Sequence, residues 1–95
     1  MMHFVYIIYS RSADKYYIGE TNDLLVRVNL HNSKQFQNAF TTFADDWELF
    51  WSLQCNNLSQ ARKIEKHIKS MKSRTYIENI KKYNEISVKL LEKYR

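Results

Sequence analysis

Two tyrosines, one glycine, one arginine, one histidine and one glutamate are the residues of this chain whose types and spacing can do chemistry. Tyr6 and Tyr17 lie in two β-branched and aromatic runs, HFVYIIYS (3–10) and KYYIGET (15–21), which read as strands. Only the four polar residues RSAD separate them, so the runs must pair as an antiparallel hairpin. With RSAD as the turn, paired residue numbers sum to 25, which sets Tyr6 opposite Gly19 and Ile8 opposite Tyr17. Side chains alternate along a strand. One face then carries Phe4, Tyr6, Ile8, Tyr17, Gly19 and Thr21, and the greasier other face carries Val5, Ile7, Tyr9, Tyr16 and Ile18. Two phenols thus share a face with Gly19, the one glycine in the chain. A glycine inside a strand costs stability and marks a close approach by a ligand or another backbone. Two half-buried tyrosines beside a bulge would give the same pattern.

Arg27 and His31 are four apart, hence neighbours on one face if the segment after Asp23 is a helix, with Asp23 one turn earlier. A guanidinium offers a fixed fork of donors suited to phosphate, and an imidazole can donate, accept or hold a proton near neutral pH. An exposed arginine and an ordinary surface histidine would look the same. Glu65 sits at the edge of an apolar stripe made by Ala61, Ile64, Ile68 and Met71. An acid there either points into a cleft as a lone ligand for Mg²⁺, which is often held by one or two carboxylates, or pairs with Arg62 or Lys69. Glu20, beside Gly19, is the second candidate for such a ligand. Cys55, His3, His31 and His67 have no zinc-site spacing, and one glycine excludes a phosphate-binding glycine loop.

The elements that must position these residues follow from pattern. After the hairpin, Thr21, Asn22 or Asp23 can cap a helix running to about Leu30. Residues 32–46 lack periodicity and read as a loop. Residues 47–54 (WELFWSLQ) form a third strand, and Ser59 can cap the next helix. Ser73 restarts a helix carrying Tyr76, Ile77, Ile80 and Tyr83, and residues 86–94 form a last helical segment. The fold class is therefore α+β: a three-stranded antiparallel sheet with flanking helices, in the order ββαβαα. The 95 residues are enough for one domain, with a core over about 3–84 and a helical tail over 85–95.

Composition narrows the function classes. Apolar residues are 44% of the chain, which excludes general disorder. The longest apolar run, Phe4 to Tyr9, is far too short to span a membrane. No basic–apolar–small-residue leader opens the chain, and the single Cys55 can form no internal disulfide, so a cytoplasmic protein is expected. Lys and Arg number 15 against 10 Asp and Glu, a formal charge of +5. Residues 61–95 hold eleven Lys and Arg against four Glu, a local balance of +7, so the whole positive excess lies in the C-terminal third. That is the electrostatic footprint of a polyanion partner, or a solvated lysine-rich face.

Taken in order, Val5-Tyr6-Ile7, Tyr17-Ile18-Gly19, Thr21-Asn22-Asp23-Leu24, Arg27 and His31-Asn32 resemble the GIY-YIG nuclease superfamily. The likeness is strongest to small stand-alone bacterial members related to the nuclease domain of the excision-repair endonuclease. Trp47-Glu48-Leu49, ARKIEKHIK (61–69) and Lys72-Ser73-Arg74 continue it, so that it covers about residues 3–84. The name-giving glycine of the first motif is Phe4 here. Where many relatives carry a Gly/Lys/Arg-rich loop, this chain has Phe36, Phe40 and Phe43, then Asp45 and Asp46.

The resemblance implies a metal-dependent endonuclease that hydrolyses DNA phosphodiester bonds with one Mg²⁺ or Mn²⁺ and no small-molecule cofactor, with a place in repair or recombination. It assigns Tyr6 and Tyr17 to the surroundings of the attacking water, one of them as general base. Arg27 would bind the scissile phosphate, His31 assist proton handling, and Glu65 hold the metal. Gly19 would be the motif's structural glycine. Lys15, Lys69, Lys72 and Arg74 are the residues expected to grip nucleic acid. With no separate recognition domain, sequence specificity is expected to be low. A non-cleaving nucleic-acid-binding module and a protein-interaction scaffold are the alternatives.

Overall fold

The computed structural model describes residues 2–33 and 44–95. These form β1 (His3–Ser10), β2 (Lys15–Thr21), α1 (Leu24–Asn32), β3 (Trp47–Cys55), α2 (Leu58–Met71), α3 (Arg74–Lys82) and α4 (Asn84–Lys93). The Phe36, Phe40 and Phe43 segment lies outside the described residues. No helix among the described residues is long and apolar enough to cross a membrane.

The sheet is antiparallel with strand order β2-β1-β3, and its hairpin register is the one the RSAD turn requires, Tyr6 opposite Gly19 and Ile8 opposite Tyr17. Placing β1 in the centre explains its unbroken apolar run, because both of its faces are covered. Val5 and Ile7 pack with Ala61, Ile64 and Ile68 of α2, Ile77 and Ile80 of α3 and Leu90 of α4. On the opposite face Tyr6 and Ile8 pack with Trp47 and Ala44, with Leu24 and Val28 of α1 against them. The β1–β3 pairing slips between Ile7 and Ile8, which leaves Phe50 as the extra residue of a bulge. Phe50 and Trp51, consecutive in sequence, consequently both pack against the α2 side of the sheet.

The helices begin and end where local chemistry dictates. Asp23 caps α1 by accepting from the Val26 amide at 3.1 Å, and Ser73 caps α3 by accepting from the Tyr76 amide at 3.1 Å. The cap of α2 is Asn57 rather than Ser59. Its side chain accepts from the Gln60 amide at 2.8 Å, while Gln60 Oε1 reaches back to the Asn56 amide at 2.7 Å. That reciprocal exchange satisfies two otherwise orphaned donors and starts the helix earlier than a lone serine would. The C-terminal segment is a full helix, α4, and it belongs to the main core. Gln60 Nε2 donates to the Leu91 carbonyl at 3.1 Å, and the Trp51 indole donates to Ser87 Oγ at 3.3 Å.

Two side-chain clips join parts that are far apart in sequence. Asp46 accepts from Ser10 Oγ at 2.6 Å, the Ser12 amide at 2.8 Å and Ser12 Oγ at 2.9 Å, which ties the start of β3 to the hairpin turn. Those hydrogen bonds hold its carboxyl down at about 2. Asn32, the last residue of α1, brackets the main chain of Trp47: its Oδ1 accepts from the Trp47 amide at 2.6 Å and its Nδ2 donates to the Trp47 carbonyl at 2.9 Å. We expect Asn32→Ala to lower stability by about 1–3 kcal/mol, since it strips two partly buried hydrogen bonds at once. Urea unfolding at neutral pH measures this, and a loss under about 0.5 kcal/mol, the range of an ordinary surface substitution, would contradict the clip.

Candidate active site

The site begins at the smallest residue. A Cβ built on Gly19 would fall 2.6 Å from Tyr6 Cζ and 2.8 Å from Tyr6 Cε1, and closer still to its hydroxyl. No side chain tolerates such distances. Gly19 is in ordinary extended backbone, so its role is close approach rather than a special turn. Its missing side chain makes room for the Tyr6 ring, which is 1% exposed. The ring's hydroxyl in turn lies 2.9 Å from Nε2 of His31, itself 3% exposed. Tyr17 closes the group, its ring centroid 6.5 Å from that of Tyr6 and 5.0 Å from that of His31.

Electrostatics sets the protonation of this group. Burial pushes the Tyr6 phenol well above the usual range, and Tyr17 adds to the rise; Arg27 pulls it down, and the charges of Glu65 and Glu20 push it up. Burial and then the Arg27 charge lower His31 to about 4. At neutral pH the pair is therefore a protonated phenol beside a neutral imidazole. The Arg27 charge by itself would lower a phenol. For Tyr6 the burial outweighs Arg27, and the result is the reverse.

Arg27 stands one turn before His31 on α1, near enough for its charge to bear on both Tyr6 and His31. Glu65 comes from a different direction. Its helix packs on the far face of the sheet, but β2 is an edge strand, so α2 side chains can reach past it. Glu65 Oε2 pairs with Lys69 Nζ at 2.8 Å, and that ammonium lies 6.0 Å from the centroid of the Tyr17 ring. Tyr6, Tyr17 and His31 are thus in direct contact, Arg27 is coupled through charge, and Glu65 stands at the rim, with the i,i+4 lysine partner that sequence allowed.

The donor set fits one kind of metal. Among the described residues no group of three or more His, Cys, Asp or Glu could cage an ion. Glu65 alone supplies a hard oxygen ligand at the rim, with its side chain 20% exposed. One carboxylate completed by waters and substrate phosphate is a common arrangement for Mg²⁺, not for Zn²⁺. Glu20, the other candidate, pairs with Nδ1 of His3 at 3.0 Å, and strand alternation puts it on the face opposite Tyr17.

The expected nucleic-acid contacts are not equally available. Lys15 is exposed at the start of β2, and Lys72 is exposed at the end of α2 in a left-handed conformation, φ 47°. Arg74 is engaged elsewhere: Nη2 donates to Asp14 Oδ1 at 2.9 Å and to the Asp14 carbonyl at 2.7 Å, and Nη1 donates to Oδ2 at 3.1 Å. It binds the start of α3 to the hairpin turn across sixty residues. The clip roles of Asn32 and Asp46, which hold α1 and the hairpin in place, were not foreseen in sequence, although Asn32 belongs to the His31-Asn32 pair of the resemblance. Asn32 and Asp46 both fall in the segment 32–46 that reads as a loop, whereas Asn32 is the last residue of α1.

Compared with known proteins, residues 2–84 match the GIY-YIG catalytic domain family. The chain belongs to that family. It is a family of nucleases, and the match runs from β1 through α3 to the first residue of α4, leaving the rest of α4 beyond it. No curated protein and no solved structure matches the chain. The GIY-YIG hairpin explains why a glycine is required in the second motif here: Gly19 is the space that Tyr6 occupies.

Two outcomes test this geometry. Gly19→Ala must displace a buried ring that is also hydrogen-bonded, so a stability loss of about 1–3 kcal/mol is expected in urea unfolding. Wild-type stability in that variant would show that the ring has room. The second concerns pH. His31 is held neutral in the folded chain at about 4, against an ordinary value of 6.5 when unfolded. Its contribution is present above about pH 6.5 and is lost as pH falls toward 4, because the unfolded chain takes up the proton first, at up to about 1.4 kcal/mol per pH unit. His67 is also lowered, by burial and Lys93, but contributes equally to parent and variant. His31→Gln should therefore flatten the fall in stability between pH 6.5 and pH 4.5, and parallel curves would contradict a buried neutral His31.

Proposed function

We propose that this chain is a divalent-metal-dependent endonuclease that hydrolyses DNA phosphodiester bonds in the cytoplasm, acting as a single domain of low sequence specificity in repair or recombination. The observation that carries the reading is the 2.9 Å contact between a protonated, buried Tyr6 and a neutral His31 beside the Arg27 charge. A neutral imidazole at this distance can accept the phenolic proton, as a proton relay requires.

Arg27 holds the scissile phosphate and neutralises the charge that develops on its oxygens. Attack by water forms a new P–O bond and breaks the bond to the leaving sugar oxygen, and the attacking water must lose a proton. A phenol raised by burial is a poor base by itself. Tyr6 can still take that proton if it gives its own to Nε2 of His31 in the same movement, so no free phenolate is needed. Tyr17, against the His31 ring, orients the water. Glu65 would hold Mg²⁺ or Mn²⁺, which when bound polarises the phosphate and stabilises the departing oxygen as a Lewis acid. Lys15, Lys69 and Lys72 supply positive charge toward the nucleic acid, and Arg74 does so only at its already occupied fork.

A non-cleaving nucleic-acid-binding module is the second reading. It is favoured by one observation, the 2.8 Å ion pair that occupies the Glu65 carboxylate with Lys69. Plasmid and branched DNA incubated with purified protein and Mg²⁺, Mn²⁺ or EDTA separate the two. We expect cleavage with either metal and none in EDTA. Glu65→Gln should lower the cleavage rate at least about a hundredfold, with DNA binding retained, because an amide is a far weaker ligand than a carboxylate. Its stability should change by less than about 1 kcal/mol, the value of a solvent-accessible i,i+4 pair. Full cleavage in Glu65→Gln removes it from the site; no cleavage by the parent with any divalent metal selects the binding module.

A further inference from the structure

The strongest feature outside the site lies on the other flank of α2. The buried stripe Ala61, Ile64 and Ile68 divides the helix. By helical spacing Glu65 and Lys69 fall on one side of it, and Lys63, His67 and Ser70 on the other. On that second side α4 docks against α2. His67 Nδ1 lies 2.8 Å from the Tyr94 hydroxyl, and the His67 ring sits 5.5 Å from the Tyr94 ring and 5.9 Å from the Tyr76 ring.

The docking creates two adjoining hollows that share His67. One, of about 280 Å³, is lined by Lys63, Lys66, His67, Ser70 and Tyr94. The other, of about 220 Å³, is lined by His67, Tyr76, Lys89 and Lys93, with Ile86 and Leu90. Four lysines therefore face these hollows, and no acid does. All four are exposed, and none is in an ion pair among the described residues. The acids of α4, Glu85 and Glu92, are not among the lining residues. This surface cannot be a property of the GIY-YIG match as such, because that match ends at residue 84 and α4 builds half of the groove.

We propose that the α2–α4 groove is a second nucleic-acid surface, which holds the phosphate backbone on the flank of α2 away from the catalytic residues. This rests on the nuclease reading for the choice of polyanion. The chemistry of the groove is that of backbone binding: ammonium groups as point charges, with aromatic rings between them and no fork to read a base edge. From Lys63 to Ser70 the helix rises about 10 Å, a length over which a duplex carries about three phosphates per strand. The protein measures 34 × 30 × 19 Å, so two such flanks let one small domain hold nucleic acid on both sides of α2. The groove contributes grip and leaves the chemical step to the other flank.

The test is the variant Lys63→Ala, Lys66→Ala, Lys89→Ala, Lys93→Ala, whose four sites are exposed, with circular dichroism to verify folding. Binding to a fluorescent 20-base-pair duplex is measured in EDTA from about 50 to 250 mM salt, a range over which phosphate contacts are sensitive. We expect the slope of log affinity against log salt to flatten by about 0.9 per lost phosphate contact, about two to four units for the set. NMR signals of His67 and Lys66 in the parent should move on adding the duplex. Where cleavage is measurable, KM should rise with kcat unchanged. An unchanged slope with unmoved His67 signals overturns the groove and leaves the nuclease reading intact. A flattened slope in a protein that never cleaves supports the groove and overturns the nuclease reading instead. Polyglutamate of equal charge binding the parent as tightly as the duplex, or binding to phosphatidylserine vesicles but not to the duplex, overturns nucleic acid as the partner.

Discussion

The missing side chain of Gly19 lets the Tyr6 ring lie against β2, and from that one close approach the local order of the site follows. With the ring seated there, its hydroxyl meets Nε2 of His31 on α1. A helix on one face of the sheet is thereby joined to the central strand by a polar contact inside an apolar cluster of Ile8, Ala44 and Trp47. Asn32 fastens the same helix end to the Trp47 main chain. The position of His31 is consequently determined from two sides, by the phenol it touches and by the strand to which its neighbour is clipped. A proton relay of the kind proposed needs such support, because transfer fails when the partners drift apart.

Burial has a second consequence. Removing Tyr6 and His31 from water disfavours the charged form of each, so the phenol keeps its proton and the imidazole stays neutral. Two neutral groups at hydrogen-bond distance cost little to bury, whereas an isolated phenolate or imidazolium there would be expensive. The Arg27 charge acts on both in the same sense, favouring loss of a proton from each. The pair therefore carries no charge at rest.

α2 links this site to the rest of the molecule. One stripe of it builds the core on the far face of the sheet, one flank brings Glu65 and Lys69 round the β2 edge, and the other flank meets α4. An amphipathic helix on an edge strand can serve two surfaces in this way, since its two flanks are separated by the stripe it buries. Small size favours the economy: a short chain has little surface to divide between core and function.

Much of this was legible in sequence, because it follows from local chemistry and period. The short RSAD turn allows one register, and that register alone puts Tyr6 across from Gly19. The four-residue spacing of Arg27 and His31 puts them on one helix face. Ser73, and Asp23 among the three cap candidates Thr21, Asn22 and Asp23, mark helix starts through the amides they can satisfy. Other features depend on groups brought together from distant parts of the chain, and no local pattern encodes them. The bulge at Phe50, the Asn32 and Asp46 clips and the capture of Arg74 by Asp14 are of this kind. So is the sign of the Tyr6 shift. Sequence shows which charges are present, but only tertiary structure decides how much water remains around a phenol. Here exclusion of water outweighs the arginine.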